Sequence, residues 1–103
     1  MNREIEAHYA QYLFLQRSAE WTDKKQDKYA KSQRLRATTS LTKYVNQQGH
    51  VTTSFLDIFE TYISNNVVNA FRQEGYDNYP FKEYSDITNI FPNIKLTTKN
   101  CDE

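Results

Sequence analysis

Residues 54–75 read SFLDIFETYISNNVVNAFRQEG, and this stretch decides the fold. Ser54 stands in an N-cap position, Asp57 follows three residues on, and an apolar run begins at once, which is how a helix start reads. Phe55, Leu56, Ile58, Phe59, Tyr62, Ile63, Val67, Ala70 and Phe71 recur at three- and four-residue steps instead of alternating, so they share a helical face. Gly75 supplies the stop. The face is wider than packing against one neighbour requires. This helix is therefore expected either at the centre of the core or, in part, in a homodimer contact through Phe55–Phe71.

The chain upstream carries no breaker before Gly49 and is rich in Ala, Leu, Gln, Glu, Lys and Arg, all helix formers. From about Arg3 to Trp21, residues Ile5, His8, Tyr9, Tyr12, Leu13, Leu15 and Ala19 make one stripe, with Phe14 off it. Asp23 and Gln26 form a capping-box pattern for a second helix running from about Lys24 toward Gln48. Tyr29, Ala30, Gln33, Ala37, Leu41, Tyr44 and Val45 fall on its apolar arc, while Leu35 falls on the polar side. Thr38-Thr39-Ser40 is the expected kink, because hydroxyls compete for backbone partners. Beyond the loop 76–80, Pro80 suits the first turn of a short helix over Phe81–Phe91, and Pro92 ends it. Asn93–Leu96 reads as briefly extended. The expected fold is all-α: a small bundle of three main helices plus a short C-terminal helix, with one domain over residues 1–96 and a polar tail over 97–103.

The chain has 103 residues, 15% of them aromatic, enough rings to build one core. Its longest uncharged apolar run is Tyr12–Leu15, far short of the about 20 residues a membrane span needs. Charges run through the first twenty residues, so no signal peptide is expected. Cys101 is the single cysteine, which removes an internal disulfide and points to a cytoplasmic setting.

Charge layout is the main functional signal. The 13 basic and 13 acidic side chains cancel overall, yet residues 24–43 hold seven cations against Asp27 alone. Lys24, Lys25, Lys28, Lys31, Arg34 and Arg36 form a cationic ridge that would draw an acidic protein surface or nucleic-acid phosphates. The plain alternative is a lysine-rich face kept for solubility, or one neutralised within the fold by Asp57, Glu60, Glu74 or Asp77.

A helix-turn-helix reading of Leu41–Phe55 fits poorly. Val45, Gly49 and Val51 roughly match the turn, but the following helix offers Asp57 and Glu60 to a phosphate backbone and no cation before Arg72. Tyr76 and Tyr79 alone look free to stack on bases.

Enzyme chemistry is nearly missing. His8 lies on the first helix's inner stripe, where a satisfied core histidine is preferred over a catalytic one, and His50 follows the Gly49 turn. No paired-histidine or Glu-x-x-His spacing offers a metal site, and two glycines cannot make a phosphate loop. The expectation is a small non-enzymatic regulatory or adaptor protein with no cofactor and no metal, of the kind often encoded by phages and mobile elements to modulate a host protein. Nucleic-acid regulation through the same ridge is the alternative.

Overall fold

In a computed structural model of the chain, residues 1–94 are described. Their helices are α1 (Asn2–Gln16), α2 (Asp23–Lys31), α3 (Gln33–Ser40), α4 (Leu56–Ile58) and α5 (Ser64–Phe71). Leu41–Lys43 and Thr53–Phe55 form 3₁₀ turns, and Phe59–Ile63 and Arg72–Tyr76 form π turns. The described residues hold no β-strand, only an isolated antiparallel bridge between Val45 and Val51. The fold is an all-α bundle. Cys101 and the expected tail lie outside the described residues, as does the end of the Asn93–Leu96 segment.

α1 buries Ile5, Tyr9, Ala10, Tyr12, Leu13 and Leu15, as its stripe requires. Tyr9 reaches across the core and donates its hydroxyl hydrogen to the Val45 carbonyl at 2.5 Å. Burial pushes that phenol up to about 12.

The second helix departs from expectation. It breaks at Ser32, not at Thr38–Ser40. Ser32 has extended backbone (φ −90°, ψ 127°), and its Oγ accepts from Leu35 N at 3.2 Å, which caps α3. Thr38, Thr39 and Ser40 stay helical because each hydroxyl donates to a carbonyl three or four residues back: Arg34 O, Leu35 O and Ala37 O. The break resets the helical phase. Leu35, expected to face outward, is only 6% exposed, and Gln33 is exposed instead. The N-cap of α2 is Thr22, whose Oγ1 accepts from Lys25 N at 3.4 Å, rather than Asp23.

The long third helix is likewise interrupted, by the π turn Phe59–Ile63. Wider winding slips the face by one position. Phe59, Ile63, Val67, Val68 and Phe71 turn into the core, while Ile58 and Tyr62 are left 39% and 64% exposed. Ser54 makes no side-chain cap; Thr52 precedes the opening 3₁₀ turn.

Residues 81–91 are irregular, with a turn at Ile87–Thr88, where the sequence predicts a short helix. Asp86 Oδ1 accepts from Thr88 N and Thr88 Oγ1, and this side-chain turn competes with helical backbone bonding. The segment straps the bundle. Met1 N donates to Pro80 O at 3.1 Å, and Asn2 exchanges hydrogen bonds with the backbone of Lys82 at 2.7 and 3.0 Å. Ile90, Phe91 and Ile94 are buried.

The strap is fastened to the turn at Gly49, whose carbonyl accepts from Ile90 N and Phe91 N at 2.9 and 3.2 Å. Gly49 has φ +85°, and a Cβ there would run into the Phe91 carbonyl oxygen and come within 2.9 Å of Phe91 Cβ. Gly75 also has positive φ, but a Cβ would meet nothing within 4 Å. Gly49→Ala is therefore expected to combine about 1–2 kcal/mol of left-handed backbone strain with about 1–3 kcal/mol of overpacking. Gly75→Ala carries the strain alone. Urea unfolding of both variants, followed by circular dichroism, measures the difference.

Candidate interaction surface

The six cations expected to form one ridge are divided by the break at Ser32. Lys24, Lys28 and Lys31 stand exposed on α2, and Lys25 is half-buried. Lys31 Nζ pairs with Asp27 Oδ2 at 2.9 Å, one turn apart, with both side chains largely in water. Such a pair contributes little. Lys24 and Lys28, also one turn apart, have no acidic partner among the described residues. Beside them opens a depression of about 500 Å³ with Thr22, Lys24, Lys25, Asp27 and Lys28 among its walls.

Arg34 leaves the ridge. Resetting the phase at Ser32 carries it inward, where it is half-buried and pairs with Glu74, Nε to Oε1 at 3.4 Å. The same carboxylate accepts from Ser32 Oγ at 2.6 Å and from Arg34 N at 2.8 Å, so it caps α3 from a distant part of the chain. The Arg34 guanidinium lies 5.6 Å from the Tyr76 ring centroid, and its Nη1 contacts His8 Nε2. His8 Nδ1 is 2.7 Å from the Glu4 carbonyl, which can only accept. Nδ1 therefore carries the hydrogen, Nε2 accepts from Arg34, and His8 is neutral. Burial lowers its pKa; the Glu4 carbonyl opposes this and the Arg34 charge adds to it. Burial pushes the Glu74 carboxyl up, but the hydrogen bonds from Ser32 and Arg34 outweigh it and hold the group below its ordinary range.

Arg36 stands exposed on α3 beside an aromatic cleft of about 230 Å³ walled by Tyr12, Trp21, Tyr29 and Ala30. The three rings contact one another, with centroids 5.2–5.5 Å apart. With Leu15 and Leu35 they form a small second core apart from the main one. The sequence places Tyr29 on an apolar arc but contains no sign of this separate cluster, because the cluster depends on Leu35 facing inward.

Among the described residues, no group of three or more His, Cys, Asp or Glu side chains converges as a metal site, and no helix is long and apolar enough to cross a membrane. The chain matches no protein-family model, no curated protein and no solved structure.

The His8–Arg34–Glu74 cluster makes stability depend on pH in one direction. The unfolded chain takes up a proton at His8 near 6.5, above the folded value, so stability falls as pH drops below that point. Glu74 stabilises the fold above 4.5, and that contribution is lost as pH falls through its lower folded value. Urea midpoints at stepped pH are expected to decline from about 6.5 downward. His8→Gln should remove the upper part of the decline, and Glu74→Gln should cost about 1–3 kcal/mol at neutral pH by leaving a half-buried guanidinium unpaired.

Proposed function

We propose that this is a small non-enzymatic regulatory or adaptor protein, acting in the cytoplasm, that binds an acidic protein surface through α2. The observation that carries the reading is the pair Lys24 and Lys28: exposed, one turn apart and without an acidic partner among the described residues. Cations left open beside a depression attract carboxylates and guide their approach. Arg36 extends the positive surface onto α3, and Lys25 and Lys31 add to it, whereas Arg34 serves the fold. A protein partner is favoured over nucleic acid because the chain is neutral overall, with an isoelectric point near 6.7, while nucleic-acid modules are strongly basic.

Fluorescence anisotropy against a labelled Glu-rich peptide and a short DNA duplex, at about 50 mM salt, tests this. Lys24→Glu with Lys28→Glu is expected to weaken peptide binding roughly tenfold or more while leaving helicity unchanged. Peptide binding unaffected by the reversal would make the face a solubilising surface. Tighter capture of the duplex, falling steeply with salt, would move the function to nucleic acid.

A further inference from the structure

Ile58 and Tyr62 stand four residues apart on the helix whose broad apolar face is expected in the core or, in part, in a homodimer contact. The π turn at Phe59–Ile63 puts them outside, and together with Tyr79 they are the large hydrophobic side chains exposed among the described residues. Asp57, next to Ile58, is exposed and has no cationic partner among the described residues. This acidic, aromatic patch has a counterpart on the same molecule. The cleft lined by Tyr12, Trp21, Tyr29 and Ala30 is largely apolar, and Arg36, exposed and with no acidic partner among the described residues, lines it too. At about 230 Å³ it falls below the about 300 Å³ at which small-molecule pockets begin, a size suited to a single inserted side chain.

We propose that the cleft receives Tyr62 of a second copy of this chain, with Asp57 of that copy meeting Arg36. Three features select a second copy over another partner. The ring wall and the cation at the cleft match the ring and the carboxylate of the patch. The matching surfaces occur on one chain in equal number. The chain carries no net charge, so copies are not held apart by like charge, and among the described residues Arg36 on the cleft and Asp57 on the patch are each left without an opposite charge in their own copy. Donor and acceptor surfaces differ, so the contact is heterologous and builds rings or short chains rather than a symmetric pair. One anchor side chain makes it weak, with a dissociation constant of about 0.1–1 mM. The contact shares Arg36 with the surface proposed for an acidic partner but not Lys24 or Lys28, so Lys24→Glu with Lys28→Glu, which weakens acidic-partner binding, should leave self-association unchanged and keeps the two readings distinguishable.

Sedimentation velocity of the whole chain from about 10 µM to about 1 mM tests the proposal, with the emission of Trp21, the single tryptophan, reporting the cleft. The sedimentation coefficient and the Trp21 emission are expected to shift together with concentration, and less so at high salt. Tyr62→Ala, a change at an exposed position, should weaken association roughly fivefold or more with helicity unchanged. Arg36→Glu and Asp57→Lys should each weaken it, and the double variant should recover it by reversing the pair. A wild-type chain that stays monomeric across the range overturns the proposal, as does association indifferent to Tyr62→Ala or not recovered in the double variant. A Trp21 response to an acidic, tyrosine-bearing peptide but not to chain concentration would also overturn it and assign the cleft to another protein.

Discussion

One carboxylate organises the cationic half of this molecule. Glu74 reaches back across 42 residues to the start of α3, where it takes the Ser32 hydroxyl and the Arg34 backbone N–H and side chain. A helix begins with several N–H groups that lack a partner, and an anion placed there both satisfies one and opposes the positive end of the helix. Through those bonds Glu74 fixes where α2 stops and α3 starts. Everything distinctive nearby follows from that break: Leu35 buried, Arg34 turned inward, Arg36 turned out beside an aromatic cleft, and the lysines left on a helix of their own.

The sequence made the all-α class and most of the core legible, because Ile5, Tyr9, Leu13, Phe59, Ile63, Val67 and Phe71 repeat at helical spacing and are all buried. Periodicity misled where the helical phase is reset. At Ser32 a capping side chain competes with continuation, and nothing local to the sequence distinguishes that serine from Ser40, which stays helical by bonding the Ala37 carbonyl. At Phe59 a π turn moves Tyr62 from the expected inner face to solvent. Apolar spacing in residues 81–91 resembles a helix, yet Phe91 and Ile90 are buried in an irregular strap whose backbone bonds go to Gly49 and Val51. Local patterns do not encode such long-range partners.

The candidate surface was legible to the same degree. Charge counting found the basic stretch, and it also marked Glu74 among the acids able to neutralise it. Which cation Glu74 takes depends on a contact between distant segments, so Arg34 could be distinguished from Arg36 only in three dimensions. The second core of Tyr12, Leu15, Tyr29 and Leu35 was hidden for the same reason.

That second core has a mechanical consequence. α2 buries one residue, Tyr29, and is joined to α3 through a single extended serine. The helix bearing Lys24 and Lys28 thus buries fewer side chains than α1 or α5, and a segment with few buried contacts is the kind that opens locally at less cost than global unfolding. A molecule seated on those lysines would hold the helix closed, and part of its grip would depend on how readily nine residues of helix keep their shape unaided.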